Sequence, residues 1–199
     1  MSTQVELTDP VELSVGGIWG HMTRRTIHLA MGGFPFLFFY LHDSAEAQKI
    51  VSAIVIFAII AETIRLKLGV AVFGQRHYES KQVSALAWGA LAIGITFLTL
   101  PNNPEFVFPL IISLSFGDPF LGELRRKNLD SKNVFAIGSI FIAIIWAISW
   151  HFLSTPLWLA PLMGLICVGS EWPRLRWIDD NATMLLIPLA VILLIMPWL

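Results

Sequence analysis

The placement of thirteen lysines and arginines constrains this 199-residue chain more than any other feature. The sequence reads as seven apolar segments, at roughly 26–41, 50–73, 83–100, 106–122, 134–153, 156–172 and 182–199, near the 20 or so residues that a membrane helix needs. Basic residues alternate between the connections. Arg24 and Arg25 precede the first segment, and the next connection holds only Lys49. Arg65, Lys67, Arg76 and Lys81 surround the second turn, and the 101–105 turn holds none. Arg125, Arg126, Lys127 and Lys132 fill the fourth connection, the 154–155 turn is bare, and Arg174 and Arg176 occupy the sixth. Every basic residue but Lys49 thus falls on one face, which the positive-inside rule makes cytoplasmic. The expectation is an all-α, polytopic membrane helix bundle of about seven transmembrane helices, N-terminus in and C-terminus out.

A composition of 56% hydrophobic and 14% charged residues excludes an ordinary soluble domain, and the short connections leave no room for a separate one. Residues 24–199 therefore form a single integral membrane domain, with 1–23 as an interfacial lead-in that has no basic run of the secretory-signal kind. The net charge of −1 carries no argument for nucleic acid; its sidedness is a membrane signature. Cys167, the single cysteine, lies in an apolar segment and reads as a packed core thiol. Pro119 and Pro173 are expected to kink or stop their helices. Gly32, Gly33, Gly89, Gly94, Gly138 and Gly164 read as points of close helix approach. The tryptophans fall near the two predicted boundaries as an aromatic belt.

Ionisable residues in apolar segments are costly and mark sites by default. Glu62, Asp118, Glu123 and Glu171, with the Asp179-Asp180-Asn181 cluster, are all predicted near the cytoplasmic boundary. Glu62 and Arg65, three apart on one helical face, read either as a structural ion pair or as a phosphate ligand with its orienting acid. Arg24-Arg25 reads as an interfacial anchor, with His28 one turn deeper and in need of a partner. Asp118, preceded by Gly117 as a point of backbone exposure, suits Mg²⁺ or another divalent cation on nucleotide phosphates, or a base for an attacking hydroxyl. Arg125, Arg126, Lys127 and Lys132 place a cationic patch beside it. One residue of Asp179-Asp180-Asn181 can cap the last helix; two acids and an amide facing Glu171 make a second metal or phosphate locus. Zinc spacing, a Walker loop, GxGxxG and G-x-S-x-G are all absent.

The order Arg24-Arg25-x-x-His28, Glu62-x-x-Arg65, Gly117-Asp118, a basic stretch with Lys132 and Gly138-Ser139, then Glu171 and Asp180-Asn181 resembles the dolichol kinase and phytol kinase family. That family is distantly similar to the phosphatidate cytidylyltransferases. The resemblance covers residues 24–199. It departs from the family at Pro119-Phe120-Leu121, which is bulky, and at Ile137, where an acid commonly precedes Gly-Ser; Glu123 is the nearest substitute. The resemblance implies a multi-pass membrane enzyme that phosphorylates a polyprenol, phytol-like or other lipid alcohol with a nucleoside triphosphate, typically CTP.

On that reading Asp118 and Asp180 hold Mg²⁺, and Asp118, Glu171 and Asp180 serve the chemistry. Arg24, Arg25, His28, Glu62, Arg65, Arg125, Arg126, Lys132 and Asn181 serve the nucleotide and its phosphates. The partners are the lipid alcohol, the nucleotide and the surrounding membrane lipids, with no nucleic acid. The alternatives are a cytidylyltransferase making a CDP-lipid and a catalytically altered family member. A transporter is disfavoured, because the outer halves of the helices lack ionisable residues except His151 near the edge.

Overall fold

The structure, a computed structural model, describes residues 14–37, 44–172, 175 and 178–198. These residues form an all-helical bundle: α1 (Gly17–Met31), α2 (Ser44–Leu68), α3 (Ala85–Thr99), α4 (Pro104–Arg126), α5 (Ser131–Leu153), α6 (Leu159–Glu171) and α7 (Asp180–Ile195), with short 3₁₀ turns at Phe34–Phe36, His77–Lys81 and Met196–Trp198. Among the described residues, three stretches are long and apolar enough to cross a membrane: Pro104–Arg126, Ser131–Leu153 and Asp180–Trp198. Helices α4 to α7 pack into the main core around Leu114, Leu121, Ile142, Trp146, Met163 and Leu185. Helix α3 packs on α7, α2 on α3, and α1 on α4.

Three expectations about segments change. The first apolar segment, expected at 26–41, is broken: α1 begins inside the supposed lead-in at Gly17 and ends at Met31 before Gly32-Gly33. The lead-in is also tied down, since the Val15 N–H donates to the Gln75 carbonyl at 2.8 Å. Pro119 neither stops nor ends α4, which runs through Pro109 and Pro119 to Arg126. The missing N–H removes one intrahelical bond, but the buried apolar side chains on either side hold the helix together. Helix α6 does stop at Glu171; Pro173, Arg174, Arg176 and Trp177 lie outside the described residues.

Small residues set the helix spacing. A Cβ on Gly164 of α6 would sit 2.5 Å from the Ser139 carbonyl oxygen of α5. A Cβ on Gly138 would meet Leu121 of α4 at 2.3 Å, and one on Gly94 would meet Val55 at 2.5 Å. The outside of the bundle is apolar: Ile140, Ile144, Ile148 and Phe152, four residues apart on α5, are all more than half exposed. Soluble surfaces rarely carry a continuous stripe of this kind, whereas hydrocarbon solvates it without penalty.

The close α5–α6 contact makes a prediction. Gly164→Ala drives a methyl into a backbone oxygen and should destabilise the protein by at least about 1 kcal/mol, the lower end for overpacking. Gly122→Ala meets nothing within 4 Å and should be neutral or stabilising by up to about 1 kcal/mol. Thermal unfolding of the two variants in one detergent checks this; equal melting temperatures would refute the packing account.

Candidate functional site

The C-terminal ends of α4 and α6 and the N-terminal ends of α3 and α7 meet at one end of the bundle, where most of the charged residues collect. Asp118 of α4, Glu171 of α6 and Asp180 of α7 each offer a carboxylate oxygen there, and these oxygens lie within 4.8 Å of one another. Gly117 makes the convergence possible, but not by exposing backbone as expected. It is buried, and a Cβ there would meet Ile142 at 2.6 Å and Met184 at 2.7 Å, so its absence lets α4 close on α5 and α7. Asp118 is carried along, eight positions before the last residue of α4 rather than at the helix end.

Octahedral Mg²⁺ with oxygens at about 2.1 Å spaces its ligands by about 3 Å or 4.2 Å, and Ca²⁺ by slightly more. The three carboxylates are therefore near a divalent-ion spacing, and the hard oxygen donors fit that class of cation. Glu171 is the least free of the three. Both of its oxygens accept from Arg125, through Nη1 and, at 2.8 Å, Nη2. Arg125 also lies over the Trp172 ring, 5.5 Å from its centroid. Asp118 and Asp180 are thus the two carboxylates of the cluster that could ligate such a cation directly, with Glu171 beside them. Asp179 caps α7, accepting from the Asn181 N–H at 3.1 Å. Burial and the adjoining Asp180 carboxylate push its carboxyl above the usual range, against that hydrogen bond.

His28 of α1 reaches this cluster. Its Nε2 lies 3.1 Å from the Leu114 carbonyl and 3.5 Å from Asp118 Oδ2. A carbonyl can only accept, so Nε2 carries the proton. Arg24, His28 and Arg76 all act favourably on the Asp118 charge, and Arg24 also on Asp179. Arg24 is anchored by Nη1 donating to Glu79 Oε1 at 2.6 Å. Arg76 stacks on Tyr78 and donates to its hydroxyl at 2.5 Å. Burial opposes its charge, but Tyr78, Asp180 and Asp179 more than offset that and hold its pKa above the ordinary value.

Other expected site residues have different employment. Arg65 donates every N–H it has: Nε and Nη2 to Glu62 at 2.9 and 2.7 Å, Nη1 to the Val70 and Glu79 carbonyls at 2.7 Å each, and Nη2 to the Gln82 carbonyl at 2.8 Å. Glu62 takes two further bonds from the Ser84 N–H and hydroxyl. No donor remains for a phosphate, so the pair braces the wall of the site. Arg25 pairs with Glu123 at 3.0 Å on the surface, which gives Glu123 a partner other than a nucleotide loop. Arg125, expected in a phosphate patch, instead clamps Glu171. Arg126 and Lys132 are exposed around the α4–α5 connection, with no salt bridge among the described residues. Asn181 is 4% exposed, and its Nδ2 donates to the Ala85 carbonyl at 3.4 Å.

Two site residues escaped the sequence reading, Arg76 and Glu79. Both lie in the polar 69–84 connection, where any charge passes for topology; nothing in the sequence says that this loop folds over α1. No family model, curated protein or solved structure matches this chain.

A metal-binding prediction follows from the carboxylate geometry. One Mn²⁺ per chain should bind, read as loss of the free-ion EPR signal. Asp118→Asn or Asp180→Asn should each weaken it by at least about tenfold, roughly one charged contact. Wild-type affinity in both variants would rule out the site.

Proposed function

We propose that this protein is a membrane-embedded lipid-alcohol kinase, transferring the γ-phosphoryl group of a nucleoside triphosphate, CTP by the family resemblance, to a lipid hydroxyl at the cytoplasmic face. The observation that carries this reading is the meeting of Asp118, Glu171 and Asp180 from three helices beneath Arg24 and Arg76. The family resemblance agrees with it, because the same acids supply its motifs. The sided basic residues support a bundle of about seven spans with this end inside.

Phosphoryl transfer asks the protein for in-line positioning and charge neutralisation rather than covalent chemistry. The alcohol oxygen forms a bond to the γ-phosphorus as the bond from that phosphorus to the β–γ bridging oxygen breaks. The nucleoside diphosphate leaves with that electron pair, and the hydroxyl proton passes to a carboxylate of the site. Asp118 and Asp180 would hold Mg²⁺, which neutralises phosphate charge when bound. Arg125 keeps Glu171 oriented toward the pair. Arg24 and Arg76 offer cations at the same end, while the exposed Arg126 and Lys132 would serve as outer phosphate contacts.

The test is purified protein in nanodiscs with CTP or ATP, Mg²⁺, isoprenoid alcohols and diacylglycerol. Label from the γ-phosphate should appear on the lipid; transfer of an α-label with release of pyrophosphate would make it a cytidylyltransferase instead. Asp118→Asn keeps the size and removes the charge, and should cut turnover by at least about a hundredfold. Arg76→Gln should raise the nucleotide KM by about tenfold with kcat little changed, as for a contact made equally in ground and transition states. Wild-type turnover in Asp118→Asn would end the kinase reading.

A further inference from the structure

Beside the acid cluster lies a narrow cavity of about 60 Å³, between α1, the 72–79 loop, the start of α3 and the start of α7. Its polar lining is Arg24, His28, Glu79 and Asn181, together with Gln75; its apolar lining includes Ile27, Phe73 and Leu86. Two of these polar side chains are almost wholly buried, Glu79 at 1% and Asn181 at 4% exposure. Each keeps one oxygen, Glu79 Oε2 and Asn181 Oδ1, with no hydrogen-bond partner among the described residues. A buried acceptor left bare is costly, and native proteins leave few. Arg24 Nη1 already donates to the other oxygen of Glu79, and His28 Nε2 to the Leu114 carbonyl. Arg24 keeps further N–H groups and Gln75 its amide N–H, so the cavity sets donors beside two bare acceptors. An ester carbonyl or an ether leaves both acceptors bare; a hydroxyl can donate to one of them and still accept.

A second, larger groove of about 390 Å³ opens on the outside of α2 and is lined by Phe57, Ile60, Ile64, Leu68, Val70 and Val72 among others. Arg65 also lines it, but with its donors all turned to the brace it contributes only its stem, so no polar group interrupts the groove. Val72 borders both spaces. An apolar track and a donor-seeking slot therefore meet at one side chain, next to the carboxylates of the proposed transfer site.

We propose that the slot is the acceptor subsite: the hydroxyl of a single-chain lipid alcohol donates to Glu79 Oε2 or Asn181 Oδ1, a water satisfies the other oxygen, and the hydrocarbon runs past Val72 along the α2 groove. The choice of an alcohol rests on the kinase reading; the demand for a donor and the apolar track do not. The arrangement selects lipids with a free terminal hydroxyl and a slender head, since the slot has room for little beyond the carbinol end.

The experiment measures equilibrium binding of tritiated geranylgeraniol to the full chain in phosphatidylcholine nanodiscs, without nucleotide. Unlabelled geranylgeraniol should displace the probe, and its methyl ether, which lacks the donor, should compete at least about tenfold less well. Val72→Trp changes a half-exposed side chain, so the fold should survive, and it should weaken binding at least about tenfold by filling the junction. Asn181→Leu and Glu79→Gln should each weaken it too, with thermal unfolding as the check that the variant is folded. Equal competition by the ether, or wild-type binding by Val72→Trp, overturns the proposal. Phosphorylation assays on the same preparations separate the two readings. Turnover with an unchanged alcohol KM in Val72→Trp and Asn181→Leu refutes the slot and leaves the kinase standing. Binding that follows the expected pattern, without transfer from any nucleotide, supports the slot and refutes the kinase.

Discussion

The Arg65 guanidinium donates all five of its N–H groups, to Glu62 and to the carbonyls of Val70, Glu79 and Gln82. A cation this buried, at 6% exposure, is tolerable only because each hydrogen has a partner and a carboxylate shares the burial. The consequence is architectural. Three of the acceptors are loop carbonyls, so the charge on α2 dictates the path of residues 70–82, and Ser84, bound to Glu62, starts α3 from a fixed point. That loop carries Glu79 to Arg24 and Arg76 to the acid cluster. Breaking a buried pair by removing one partner costs about 3–5 kcal/mol, and here it would also release the loop that covers the site.

How much of this could be read from the sequence depends on whether a residue's partners lie near it in the chain. The helices were legible because long apolar runs leave few choices, and the meeting of Asp118, Glu171 and Asp180 was legible because alternation sends their helix ends to one side. The Glu62–Arg65 contact was legible from its spacing, but its purpose was not: three of the five donors go to carbonyls, which every residue carries and no pattern marks. Arg125 beside Asp118 in sequence looked like a phosphate ligand, yet Glu171, 46 residues on, takes both of its forks. Gly117 looked like a device for Asp118 and is instead a packing position against Ile142 and Met184. Pro119 looked like an end; in an interior this well filled, the lost hydrogen bond is the smaller effect.

Placing the chemistry at helix ends also resolves a conflict between solvents. Side chains in hydrocarbon must be apolar, and α5 obeys along its outer stripe of Ile140, Ile144, Ile148 and Phe152. The charged groups of the site sit toward the helix ends, Asp118 about two turns inside α4, where loops can fold over them. The interior accordingly uses neutral bonds that satisfy themselves: Trp146 Nε1 donates to Ser113 Oγ at 3.2 Å, and at the opposite end Thr155 donates to the Glu105 carbonyl at 2.8 Å. A site with several carboxylates has one economical location in such a bundle, and this chain uses it.

If this end holds a nucleotide as proposed, its charge balance would favour a particular order of binding. Asp118, Glu171, Asp179, Asp180 and Glu79 face Arg24, Arg76 and Arg125. Were every group ionised, five carboxylates against three guanidinium groups would leave two negative charges, an excess that one divalent cation would offset and that Asp179, whose carboxyl burial and Asp180 push above the usual range, reduces when it holds its proton. A bare nucleotide triphosphate would approach an anionic surface and be repelled, since Coulomb interactions strengthen as water is excluded. A nucleotide carrying its cation brings the missing charge, after which Arg24 and Arg76 are left with surplus attraction for phosphate oxygens. On the proposed kinase reading, the acids would make the metal the condition for the phosphates to enter.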